Sequence, residues 1–256
     1  ISPWRISLGF SRQTAKKLFS YGLAYQGKSF LAVIKDDLLT FFLSGLVGVT
    51  GVGFWGTAQR WAYFPYRFLV DSVTKVTFPA YARVQNDFSS LRSGIEKSLF
   101  MVSLLLFPVL VMASTSVNSL IHIIPKYMKW EPALISFYFL AAQSAVAALT
   151  NILVNVLDAT GRVKTTLGLM IMWIIGTWVL TIVAVTRFGF TGIAIAAFVV
   201  SLSIFVVIYL VKRVVSFDFV GNIWRQILAC AVMGLVMVLM LNHLPTHILS
   251  VEAAGL

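Results

Sequence analysis

The sequence predicts an all-α polytopic membrane protein, and three observations predict it. Of its 256 residues, 59% are hydrophobic and only 11% are charged, against about 25% charged in soluble domains. Mean hydropathy is +0.90. Apolar runs approaching the ~20 residues that cross a bilayer as a helix recur from end to end. Basic residues gather in every second connector, the asymmetry that orients membrane helices. Backbone groups in hydrocarbon must be satisfied within a helix or a closed barrel, and nothing in the pattern alternates as a strand would.

Residues 1–17 are polar and carry Arg5, Arg12, Lys16 and Lys17, so they read as a cytoplasmic linker. Seven helices follow, at roughly 18–45, 54–82, 91–114, 133–157, 165–186, 190–211 and 223–243, in one bundle spanning 18–256. Turn chemistry separates them. Gly48, Gly51, Gly53 and Gly56 crowd the first link, and Asn86-Asp87 with Ser89-Ser90 marks the second. Pro125 and Pro132 bracket the third, Asp158-Ala-Thr-Gly161 forms the fourth, and Gly189 with Gly192 the fifth. No signal-peptide pattern opens the chain, and an apolar restart closes it at 251–256. The sequence therefore reads as a piece of a longer protein, truncated at both ends.

The connectors set the topology. Arg5, Arg12, Lys16, Lys17, Arg83, Arg92, Lys97, Arg162, Lys164, Lys212, Arg213 and Arg225 fall on one side, twelve of the twenty basic residues. Lys126, Lys129 and Arg187 fall on the other. This asymmetry puts the N-terminus in the cytoplasm. It also accounts for much of the net charge of +11 without a nucleic-acid partner.

Five basic residues are left over: Lys28, Lys35, Arg60, Arg67 and Lys75. All lie inside the first two spans, together with Asp36, Asp37 and Asp71. A charge at the centre of a membrane helix costs about 2.5–3.5 kcal/mol, so such residues face water or a partner. Lys28 and Lys35 are two turns apart. Arg60, Arg67, Asp71 and Lys75 advance by helical steps and share one stripe, with Arg67→Asp71→Lys75 spaced for i,i+4 pairs. The three carboxylates can neutralise three of the five bases as a structural lock, which leaves a cationic surplus suited to a solvated cavity. Pro65 and Pro79 interrupt the second span, either as kinks beside a cavity or as tolerated prolines.

Ser144, Asn151, Asn155 and Asp158 form a second polar stripe. It either lines the same cavity or joins helices by hydrogen bonds, and Asp158 suits a turn. Trp4, Trp130 and Trp224 fall at the predicted interfaces, while Trp173 and Trp178 read as packing. Metal and cofactor chemistry find no support. Cys230 is a lone cysteine, Pro245 separates His243 from His247, and no Walker motif is present.

The motifs resemble those of a known family. Leu18-Phe-Ser-Tyr-Gly-Leu-Ala-Tyr-Gln-Gly-Lys28 with Lys35-Asp-Asp37 resembles the start of the second half of polysaccharide flippases. Gly53-Phe-Trp-Gly-Thr-Ala-Gln-Arg60, Pro65-Tyr-Arg67, the Phe78-Pro-Ala80 exit into a basic loop and Phe107-Pro108 are similar to that branch of the multidrug/oligosaccharidyl-lipid/polysaccharide superfamily. The resemblance is strongest over residues 18–110 and only hydropathic beyond about 190. It implies the C-terminal bundle of a transporter, not an enzyme, in the cell inner membrane. The implied substrate is an undecaprenyl-pyrophosphate-linked oligosaccharide moved between leaflets by alternating access. It also implies an N-terminal bundle of the same full-length chain as partner, alongside polysaccharide polymerase machinery. The implied cavity residues are Lys28, Lys35, Arg60 and Arg67, with Lys75 near the cytoplasmic mouth. Asn151 and Asn155 are further candidates, and Asp36, Asp37 and Asp71 are candidates for coupling to protons or sodium. A cation-coupled multidrug antiporter would want a net acidic cavity. A polyprenyl-dependent glycosyltransferase would want carboxylates on an outer loop, where only Glu131 and Glu252 stand.

Overall fold

A computed structural model describes residues 38–243 continuously, together with scattered positions between 11 and 34. The expected linker 1–17 and first helix 18–45 therefore lie largely outside the described residues, as does the segment 244–256. Every regular element among the described residues is helical. They are α1 (Leu39–Arg83), α2 (Phe88–Ile123), a 3₁₀ turn (Pro125–Trp130), α3 (Ala133–Ala159), α4 (Val163–Phe188), α5 (Thr191–Ser201), α6 (Ile204–Lys212) and α7 (Phe219–His243). With α5 and α6 taken as one span, six helices among the described residues are long and apolar enough to cross a membrane. The chain is an all-α polytopic membrane protein.

In α1 the helical backbone breaks at one place. Gly48 adopts φ 72° and ψ 165°, a conformation that a Cβ would strain, and the other three glycines of that link continue the helix. From there α1 runs unbroken through Pro65 and Pro79. The 36 residues of α2 rise about 54 Å, well beyond a hydrocarbon core of about 30 Å, so α2 projects past the lipid. Its start is capped as the Asn86-Asp87 turn leads one to expect. The Asp87 carboxylate accepts the Ser89 and Ser90 amides at 3.0 and 3.2 Å and the Ser90 hydroxyl at 2.6 Å, satisfying donors that a helix N-terminus leaves open.

The sharp turn after α3 has its own chemistry. Gly161 takes φ 77°, and two bonds close around it: the Arg162 amide to the Leu157 carbonyl at 2.8 Å and the Gly161 amide to Asp158 at 3.1 Å. This is the double bond pattern of a glycine-terminated helix. Between α5 and α6 the amides of Leu202 and Ser203 reach back three residues instead of four. The Trp173 indole N–H donates to the Ser203 hydroxyl at 2.8 Å, fixing α4 against that break.

α3 is the central helix. It packs against α1, α2, α4, α5 and α6, and half of its apolar window is buried, against 28% or less for the other spans. Small residues make this possible. Ala58 and Ala62 of α1 and Ala148 of α3 are fully buried in one core with Leu99, Ile152 and Leu153. Membrane helices associate through such close backbone approach, because lipid supplies no hydrophobic drive between them.

The two ends of the bundle sort the connectors. At one end the Asp218 amide donates to Glu96 at 3.0 Å, and Glu96 pairs with Arg92 at 2.9 Å. The start of α7 thus sits beside the start of α2. At the other end Phe54 meets Trp130 edge-on at 5.9 Å and Phe190 at 5.5 Å, which joins α1, the 3₁₀ turn and the α4–α5 corner. Arg92 and Lys97 of α2 share the first end with Arg225 of α7. Lys126, Lys129 and Arg187 belong to the second.

Candidate functional site

The second expected span carries its charges as the helical spacing requires. Arg60, Arg67, Asp71 and Lys75 are all exposed, and so are Phe64 and Phe68. At 100° per residue these six positions fall within an arc of about 100°. Over the fifteen residues from Arg60 to Lys75 the stripe rises about 22 Å, a length that fits inside the hydrocarbon core.

The opposite arc of α1 is the packing face. Ala58, Ala62, Val70 and Tyr81 are buried there, and Trp61 lies beside Phe137 at 6.3 Å. Two polar contacts lock this side to α3. The Tyr63 hydroxyl donates to the Gln143 side-chain carbonyl at 2.7 Å. About three turns further along, the Thr74 hydroxyl donates to Asn151 Oδ1 at 3.1 Å, while Asn155 Nδ2 donates to the Thr74 hydroxyl at 3.2 Å and to Asn151 Oδ1 at 2.9 Å. The three side chains close a triangle, all half-buried.

The structure gives the two polar stripes different partners. The charged stripe faces away from the bundle core. Asn151 and Asn155 lie in the α1–α3 interface, bonded to Thr74. Ser144 is buried and returns its hydroxyl to the Leu140 carbonyl at 2.8 Å. Asp158 accepts the Thr166 hydroxyl at 2.7 Å across the turn. Among the described residues, the ion pair formed is Arg92–Glu96, and Arg67, Asp71 and Lys75 do not close the i,i+4 pairs that their spacing permits. Lys28, Lys35, Asp36 and Asp37 lie outside the described residues.

Thr74, Tyr63, Gln143 and Phe64 escape a reading based on charge. Gln143 carries a signal, being a third side-chain amide on α3 beside Asn151 and Asn155. Phe64 carries one only on a helical wheel, where it lands amid the charges. No group of three or more His, Cys, Asp and Glu side chains able to hold a metal occurs among the described residues.

Among the described residues, six helices able to cross a membrane, one of them bearing a cationic stripe on its exposed face, define a polytopic membrane protein. A family of polysaccharide biosynthesis proteins matches residues 1–135, just over half of the sequence, and the chain belongs to that family. Over 160 residues it is 25% identical to the lipopolysaccharide biosynthesis protein WzxC of Escherichia coli (strain K12), an alignment covering 62% of this chain and 32% of that protein. The chain spans about a third of the length of this curated relative. The match bears out the resemblance to the polysaccharide branch that the motifs carry.

Proposed function

We propose that this chain forms one wall of a path by which a lipid-linked oligosaccharide crosses the inner membrane, and that it acts as a transporter rather than an enzyme. One observation carries the reading: Arg60, Arg67 and Lys75 stand exposed on a single face of α1, within a helix long and apolar enough to span the bilayer, while the opposite face is packed on α3. A polyprenyl pyrophosphate cannot cross hydrocarbon without compensating cations. Guanidinium forks and ammonium groups match phosphate oxygens, and they act most strongly where water is scarce. Lys28 and Lys35 extend the same cationic set in this proposal, and the facing wall is an N-terminal bundle of the full-length protein. Asn151 and Asn155 hold α1 to α3 and keep the stripe rigid, as an alternating-access path needs. Asp71, with Asp36 and Asp37, is the acidic group available for ion coupling. A polymerase that consumes the delivered oligosaccharide is the expected neighbour.

A multidrug antiporter is the less favoured reading, because the described stripe carries three cations against one carboxylate. The test is Arg67→Ala introduced at the gene's own locus. Surface polysaccharide is expected to disappear while the protein remains in the membrane at its normal level by immunoblot. Normal surface polysaccharide in that strain would overturn the assignment.

A further inference from the structure

The charged stripe contains a residue that charge compensation does not explain. Phe64 is 76% exposed and lies inside the charged arc rather than at its edge. Arg60 is one turn before it and Arg67 three residues after it, both neighbours on the helix surface. Phe68, 72% exposed, continues the aromatic surface one turn on. The helix has ample apolar positions for contact with lipid elsewhere, so a phenyl ring amid four charged groups needs a different occupant. It needs one that is charged at one point and presents weakly polar C–H groups at another.

A saccharide attached to a pyrophosphate has that character. One face of a pyranose ring is a patch of C–H groups, and the face of a phenyl ring carries the negative part of its quadrupole. Guanidinium groups at 60 and 67 bracket the ring along the helix, so phosphate oxygens on either one place the adjoining sugar within reach of Phe64. We propose that Phe64 is the sugar-stacking platform of the path, holding the first saccharide of the lipid-linked substrate while Arg60 and Arg67 hold its phosphates. This rests on the transport reading above and assigns a part of the substrate that the charges leave unread.

The test is a set of substitutions in the full-length protein at its own locus, read as surface polysaccharide per unit of membrane-inserted protein. Phe64→Ala is expected to lower export about fivefold, the scale of one aromatic contact. Phe64→Tyr and Phe64→Trp are expected to keep it near normal, and Phe64→Leu to fail like alanine. Normal export with leucine would mean that the ring only fills apolar space against a lipid chain or a neighbouring helix, and would overturn the proposal. Normal export with alanine would do the same. Arg67→Ala, measured in parallel, separates the two readings. Loss of export there with an unaffected Phe64 series removes the platform alone, whereas normal export with Arg67→Ala removes the transport reading on which it stands.

Discussion

The Thr74–Asn151–Asn155 triangle makes a quantitative prediction. Three hydrogen bonds connect these side chains, and Thr74 and Asn155 each take part in two of them. Interhelical hydrogen bonds in membranes are worth about 0.6 kcal/mol on average and up to about 1.7. Thr74→Val keeps the shape of the side chain and removes two bonds, so it is expected to destabilise by about 1.2 kcal/mol. Asn155→Ala removes one bond between the helices and the Asn155–Asn151 bond within α3, and is expected to cost about 0.9 kcal/mol. The double substitution removes all three, about 1.5 kcal/mol in total. The coupling is then about 0.6 kcal/mol, the shared Asn155–Thr74 bond. The assay is reversible unfolding of the purified full-length protein in detergent, run as a double-mutant cycle. Single variants at wild-type stability with additive effects would refute the lock. The same variants also decide the role of Asn155: stable variants that fail in export would place it on the substrate path, whereas destabilised variants that export normally leave it as helix–helix glue.

Two further predictions follow from the ends of the helices. Ser90 and Ser89 donate to the Asp87 carboxyl and hold its pKa at about 2, below the usual carboxylate range. A depressed carboxylate stabilises above its unfolded pKa and loses that effect as pH falls through its folded one. Protection of the Ser89 and Ser90 amides against hydrogen exchange is therefore expected to persist at neutral pH, to decline below about pH 4, and to be absent at every pH in Asp87→Ala; equal protection in that variant would count against the cap. For topology, in a Cys230→Ala background, cysteine at Lys126 should label in intact cells, and cysteine at Ser216 only after permeabilisation. The reverse pattern would invert the proposed orientation.

The class of this protein is written in its composition, because lipid tolerates only one local solution for most of these segments. A run such as Ala133–Ala159 has no stable form in hydrocarbon other than a helix, so periodicity and length suffice to find it. The charged stripe is legible for the same reason. Helical spacing alone places Arg60, Arg67, Asp71 and Lys75 together, and the exposure of all four agrees. The Asp87 cap and the Gly161 turn are local devices too, each closed within a few residues of itself.

Which faces meet is a different kind of fact. Ser144, Asn151, Asn155 and Asp158 look like one stripe on α3, yet one returns its bond to its own helix, two reach Thr74 and one reaches Thr166. Nothing about Thr74 marks it until α1 lies against α3. In water, hydrophobic burial would mark the inward face with apolar residues, but in lipid both faces are apolar and that signal vanishes. Close packing of Ala58, Ala62 and Ala148 and a handful of polar contacts choose the partner instead. The stripe that faces away from this core owes its charges to the sequence and its freedom from α3 to the tertiary fold.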